Sequence, residues 1–346
     1  MNIRKIAKKS GVSTATVSRV LNNSSRVHPD TRKKVLEIVD ASNFKLRNTN
    51  RKNFTIGVNV PSVSTSQLNH NFVCEFITGI AESLSKLQAS IKIIDTNELL
   101  LIPEKTGAYN DYCKEKGINA IVHILAPISL HSCIERIADD GISQIVFEHQ
   151  FNRPDISWVD VENFDTSCNL AKNLVQLGVH DFAIVTAGRT FKGHYDRYKG
   201  FIKGLKEHGL EIPSYWDIER RHINVEAGVS ATLSLLASSK KSPRVIYFTN
   251  AELALGGVKT LLNHGLKLPE DVIVAFFDDS SFTNWFPVPV ASLRQPAYEI
   301  GVKTGSFFLP NILERPSHAI LTPELFIGYE IVKSLEAKSK VNSGDS

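Results

Sequence analysis

The 346-residue sequence predicts an all-α three-helix head at the N-terminus and an α/β body of two lobes, each a doubly wound parallel sheet. Three observations carry this reading. Residues 1–53 hold 13 Lys/Arg against Asp30, Glu37 and Asp40 (+10), whereas the remainder holds 27 basic and 33 acidic residues (−6). Within the basic head, short apolar stripes at helical spacing are separated by Gly11. From residue 55 onward, short apolar runs alternate with helical segments, the pattern of parallel sheets with crossover helices. That body, about 290 residues, is too long for one comfortable core, so two lobes are expected.

Asn2 is suited to cap a first helix, Ile3 to Ser10, with Ile6 and Ala7 facing inward. Gly11 breaks it, because glycine tolerates the left-handed conformation of a tight turn. Val12 packs the turn and Ser13 caps a second helix from Thr14 to Asn22, with Val17, Val20 and Leu21 on one apolar stripe. A third helix starts near Pro29-Asp30-Thr31, since proline suits the first helical turn. It turns Val35, Ile38 and Val39 inward and Arg32, Lys33 and Lys34 outward. Three short helices around one apolar core with a glycine turn make a helix-turn-helix unit. A small basic head on an acidic body points to a polyanionic partner for the head alone.

In the body, Thr55–Val60, Ser90–Ile94, Ala120–Leu125 and Gln144–Glu148 read as strands, with a helix around Phe72 to Leu87. A second series of strands runs through Asp181–Thr186, Val245–Thr249 and Val272–Phe277. Helices Thr166–Leu177, Tyr195–His208, Ala227–Ser238 and Glu252–Gly265 lie between or beside them. Ligands of such folds bind beyond the carboxyl ends of the strands, here between the lobes. No run of 18 apolar residues suggests a membrane span. The first residues, Met1 to Ile6, lack a signal-peptide core, so a cytoplasmic location is expected. Cys74, Cys113, Cys133 and Cys168 form no CxxC pair and read as reduced, buried thiols.

The run Ile6-Ala7-Lys8-Lys9-Ser10-Gly11-Val12-Ser13-Thr14-Ala15-Thr16-Val17-Ser18-Arg19-Val20-Leu21-Asn22 resembles the headpiece of the lactose/galactose-repressor (LacI/GalR) family. The likeness continues through Val27 to Val35. It implies that the second helix enters the major groove, with Thr14, Ala15 and Arg19 facing base edges. Ser13, Thr16, Ser18, Asn22, Arg26 and Thr31 would then contact phosphates or position that helix. The side chains suit these roles: Arg grips guanine O6 and N7 together, Ala meets a thymine methyl, and small hydroxyls fit phosphate oxygens. Solvent-facing helix positions are the plain alternative for Thr14 and Ala15.

The linker, residues 46–55, departs from that family: Leu46 stands for its usual proline, and the segment is about five residues short. The expected wedge leucine falls on Asn53, beside Phe54. Either Phe54 serves as an intercalating wedge, or it opens the first strand and the hinge does not insert; the second reading is favoured. The body resembles the same family's sensor domain, itself similar to periplasmic sugar-binding proteins. Segments such as Asp160-Val161-Glu162-Asn163, Arg197-Tyr198-Lys199-Gly200-Phe201 and Phe277-Asp278-Asp279 carry that likeness.

By this resemblance Arg197 and Asp278 bind a ligand, a donor fork and a paired acceptor suited to a polyol; a buried ion pair between them is the alternative. Further ligand candidates are His70, Asn71, Phe72, Trp158, Asn250 and Trp285. Ala251 stands where the family has an acidic residue, Glu162 where it often has Asp, and the loop from Pro61 to Asn69 is longer than its pattern. The expected domains are the head (1–45), the linker (46–55), the two-lobed sensing and dimerisation domain (56–337) and a disordered tail (338–346).

The expected partners are an operator in double-stranded DNA, a sugar or sugar-like effector, and a second copy in a homodimer, with no membrane. No metal-ligand cluster, P-loop, HExxH or GxSxG motif is present, so neither a cofactor nor catalysis is expected. The function so read is transcriptional regulation, by repression, with operator affinity set by the effector. The alternatives are a regulator with a degenerate cleft controlled by a partner protein, and a soluble sugar-binding protein.

Overall fold

Helix α1 (Ile3–Ser10) and helix α2 (Pro29–Ala41) bound the head where their turn and proline signals place them. The computed structural model describes residues 3–13, 16–17, 20, 27–41, 54–60, 71–85, 89–188, 191–238, 241–277, 286–308 and 317–343. Of the expected second helix, Thr16, Val17 and Val20 are described and are helical. Ile6, Ala7, Val17, Val20, Val27, Val35 and Val39 close into one small core, with Val12, Leu36 and Ile38 packed against it.

The body follows the strand–helix alternation. The first lobe contains β1 (Thr55–Val60), α3 (Asn71–Leu84), β2 (Ser90–Asp95), α4 (Thr96–Leu100), α5 (Ala108–Lys116), β3 (Ala120–His123), α6 (His131–Asp139), β4 (Ser143–Phe147) and β5 (Ser157–Val161). The chain then crosses to the second lobe, with α7 (Asn163–Gln176), β6 (Phe182–Ala187), α8 (Lys192–Lys206), β7 (Asp217–Arg220), α9 (Val225–Ser238), β8 (Val245–Phe248), α10 (Ala251–Asn263), β9 (Ile273–Phe277) and β10 (Ala291–Arg294). It returns for α11 (Ala297–Ser306) and β11 (His318–Leu321), and crosses a last time for β12 (Glu324–Ile327) and α12 (Tyr329–Ser343).

The first sheet runs β11-β5-β4-β3-β1-β2 and is parallel throughout; the second runs β12-β10-β9-β8-β6-β7. Among the described residues only the β10–β12 pair is antiparallel, so the second sheet is not purely parallel as expected. The central strands β3, β8 and β9 are buried at every position. A parallel strand covered by helices on both faces must be apolar on both, which is why these runs do not alternate. Each sheet accordingly has a core on either face.

Two further sequence expectations change, and Phe54 is placed. The tail is helical as far as Ser343, not disordered from Lys338; Glu336-Ala337-Lys338 are good helix formers and simply extend α12. Ile331 and Leu335 anchor that helix in the second lobe. Cys113, Cys133 and Cys168 are buried, but Cys74 is exposed on the outer face of α3, whose inward residues are Phe72, Val73, Phe76 and Ile80. Phe54 belongs to the first lobe: its carbonyl accepts from Ser90 N–H at 2.8 Å, and its ring lies 6.4 Å from that of Phe308. An aromatic ring committed to that core is unavailable as a wedge, in line with the favoured reading of the linker.

Candidate DNA-reading head and effector cleft

The turn of the head is closed by hydrogen bonds that its sequence anticipates. Gly11 has φ +70°, and Val12 N–H donates to Ala7 O at 3.1 Å, ending α1. The buried Ser10 hydroxyl donates back to Ile6 O at 2.8 Å. Ser13 Oγ then accepts from Thr16 N–H at 3.0 Å and lies 2.9 Å from Thr16 Oγ1, while Ser13 O accepts from Val17 N–H. Ser13 therefore caps the second helix from an exposed position, which leaves it beside whatever that helix meets. Thr31 is half-buried in the first turn of α2. The expected contacts Thr14, Ala15, Ser18, Arg19, Asn22 and Arg26 lie outside the described residues.

The cleft expected between the lobes lies where residues at the carboxyl ends of both sheets meet through Arg197. From the first lobe it receives Glu148, directly after β4, and Asp160 near the end of β5, with Asn163 at the crossover where α7 begins. The second lobe contributes Thr249 and Asn250 after β8, and Arg197 from α8. Arg197 is 2% exposed, and its guanidinium is held on every side. Nε donates to Asn163 Oδ1 at 2.8 Å, Nη1 to Thr249 O at 3.0 Å and Nη2 to Glu148 Oε1 at 3.1 Å, while Cζ sits 4.0 Å from the Phe277 ring centroid. The Arg197–Glu148 ion pair thus spans the two lobes with both partners buried.

Glu148 adopts φ +65°, a left-handed backbone that costs a non-glycine residue about 1–3 kcal/mol. Its surroundings hold it there: Glu148 N–H donates to Val159 O at 3.0 Å while the carboxylate meets Arg197. A second link across the lobes joins Lys192 Nζ to Asp160 Oδ2 at 3.7 Å, with Asp196 Oδ2 2.6 Å from the same ammonium. Gln150 Nε2 also donates to Asp160 at 2.8 Å. Burial alone would lower the Lys192 pKa, but the hydrogen bond it donates to Asp196 and the charges of Asp160 and Asp196 hold it above its usual value.

Beside them His149 packs on His131 (3.9 Å between ring centroids) and on Phe151 (4.5 Å). Burial, followed by the charges of His131 and Lys192, pushes His149 down to about 4, so the ring is neutral near pH 7.

Residues 2–46 match the family described as "Bacterial regulatory proteins, lacI family", and residues 171–328 match the periplasmic binding protein-like domain. The chain belongs to the lacI family. It is a helix-turn-helix transcriptional regulator. The lacI-family chain is 27% identical over 307 residues to the HTH-type transcriptional regulator RegA of Clostridium saccharobutylicum, spanning 87% of this chain and 89% of that one. Its fold is similar to that of the transcriptional regulator CelR in complex with cellobiose (TM-score 0.69, 18% identity, 94% of this chain and 98% of that one). It is also similar to the lac repressor dimer bound to operator and the anti-inducer ONPF (TM-score 0.65, 18% identity, 95% and 98% covered).

In this lacI-family regulator the structure brings only part of the expected ligand set together. Arg197 and Asn250 are at the cleft, both buried. Asn250 also caps α10, its Oδ1 accepting from Glu252 N–H at 2.9 Å. Phe72 turns into the first-lobe core instead, its ring 5.3 Å from that of Phe147, because it opens the apolar face of α3. Trp158 is also misplaced by the sequence reading. It is the second residue of β5, far from the strand's carboxyl end, and stacks on its cross-strand neighbour His318 at 4.5 Å. His70, Asp278, Trp285 and the Asn71 side chain lie outside the described residues.

The carboxylate found on Arg197 is Glu148, a partner the sequence reading did not assign. An acid ending the apolar run Gln-Ile-Val-Phe was its one signal in the sequence. Lys192, Asp160 and His149 were likewise missed as a group, since no local spacing connects them.

Proposed function

We propose that the regulator represses transcription as a homodimer on a pseudo-palindromic operator of about 14–20 base pairs, and that a sugar or sugar derivative in the interlobe cleft sets its operator affinity. One observation supports this above the others: buried polar side chains from both lobes converge around Arg197, in a chain whose first 53 residues carry a net charge of +10. The similarity to CelR with cellobiose and to the lac repressor dimer on its operator supports the same reading.

In the head, Thr14, Ala15 and Arg19 read base edges, while Ser13, Thr16, Ser18, Asn22, Arg26 and Thr31 contact the backbone or place the helix. In the cleft, Arg197, Asn250 and Asp278 hold the effector, with His70 and Asn71 as further contacts. Closing the cleft changes how the lobes sit and, through the first lobe, how the two heads are presented, which alters affinity for the operator.

Selection of bound sequences from a random DNA pool by the full chain, at a stated salt concentration, tests the reading. Recovery of two related half-sites in inverted order is expected. Binding without any motif, or a single half-site, would overturn the dimeric repressor.

A further inference from the structure

We propose that Glu148 makes the cleft selective for an uncharged, polyhydroxylated ligand, because it fills from within the chain the place that an anionic group would take. The inference rests on the reading of the cleft as the effector site. A phosphate or carboxylate entering the cleft would seek two features: a buried guanidinium, and the positive end of a helix whose N–H groups face it. Both are present, and both are already occupied by the same side chain.

The guanidinium is Arg197, whose Nη2 donates to Glu148 Oε1 at 3.1 Å, while Nε and Nη1 are taken by Asn163 and Thr249. The helix end is that of α8, 15 residues long and starting at Lys192. Glu148 lies over its first turn. A Cβ placed on Gly193 would meet three carboxyl atoms of Glu148 first: Oε1 at 2.6 Å, Cδ at 2.8 Å and Oε2 at 3.0 Å. Glycine at this position is what lets the carboxylate settle against the helix, and the left-handed backbone of Glu148 brings it there.

The remaining charge points the same way. Lys192, the second cation, is engaged by Asp196 and Asp160. Lys199 also lies 4.0 Å from Asp196, so among the described residues three cations already meet three carboxylates, and the neutral His149 adds no charge. An anionic ligand would have to expel Glu148 from Arg197 or lie desolvated beside carboxylates, both unfavourable. A hydroxyl-rich ligand brings no charge and donates hydrogen bonds to the same acceptors.

Calorimetric titration of the full chain with glucose, ribose and cellobiose, each against an acidic counterpart (glucuronate, ribose 5-phosphate, cellobionate), tests this. A neutral sugar is expected to bind at least about tenfold more tightly than its acid. Two variants act on the same carboxylate by different routes: Glu148→Gln removes its charge, and Gly193→Ala pushes it off the helix. In each, the preference for the neutral sugar is expected to shrink by about tenfold. An acid that binds the wild type as tightly as its neutral partner would overturn the role of Glu148 alone. So would an unchanged preference in both variants with their folds intact by circular dichroism. Silence across the whole panel would overturn the sugar effector itself, and the selectivity with it.

Discussion

At Ser13 a single hydroxyl serves local structure first: it accepts the Thr16 N–H that the start of the second helix would otherwise leave unpaired. Ser13→Ala should therefore lower the stability of the head by about 0.5–2 kcal/mol, measured as the change in thermal unfolding. Arg19→Ala should act differently, weakening operator binding by about 1–3 kcal/mol and relaxing preference at one base position; discrimination that stays intact would remove Arg19 from readout. His123 shows the same economy in the core. It is fully buried between Asn59 (3.2 Å) and Gln144 (3.1 Å), and burial depresses its pKa to about 4 from the usual 6.5. The unfolded chain binds this proton more readily, so the stabilisation is complete above pH 6.5 and is lost as pH falls towards 4. The loss from this one ring is of the order of 3 kcal/mol. Acid denaturation of His123→Gln should show a correspondingly shallower slope between those pH values.

Among elements, the helix pairs are joined by backbone contact. In α3 and α11, Gly79 and Gly301 face one another so closely that a Cβ on Gly301 would fall on Phe76 O, and one on Gly79 on Tyr298 O. The pairs α7–α8 and α9–α10 repeat this at Gly200 and Gly256. Gly301→Ala is expected to destabilise the first lobe by about 1–3 kcal/mol, because the obstacle is backbone and cannot rotate away. Equilibrium denaturation would measure it, and a neutral result would mean that the helices slide apart without penalty. Seven of the twelve described strands and the helices α3 and α7 to α10 were legible in the sequence, whereas β5, β7, β10 to β12 and the remaining body helices were not. Apolar runs without alternation mark buried parallel strands, and Gly11, Ser13 and Pro29 punctuate the head through their own backbone chemistry. The end of α12 was misread because a polar segment was taken for a disordered one. Trp158 was misread because its type suits a sugar ring, whereas its position in β5 is set by strand register.

For the whole molecule, the separation of charge is the governing feature. Residues 1–53 at +10, against a remainder at −6, direct the protein's attraction for DNA through one end. Operator affinity of the full chain should accordingly fall steeply with salt, by about 10³–10⁵ between 50 and 200 mM if six to ten phosphates are contacted. A nearly flat dependence would mean that the head does not carry the binding. The lobes are meanwhile joined by three crossings of the chain, and the ion pair of Glu148 with Arg197 links them directly across the cleft.

The alternation of strands and helices, the helical signals of the head and its basic charge follow from the sequence by itself, because each is written in residues close together along the chain. Periodicity, caps and turns act over a few residues and need no partner from elsewhere. The cleft is different. Glu148 and Arg197 are 49 positions apart and belong to different lobes, and Gly193 matters only because Glu148 lies over it. Tertiary structure alone decided that a carboxylate of the chain would occupy the buried cation, since a charge that leaves water must find its partner wherever the fold brings one within reach.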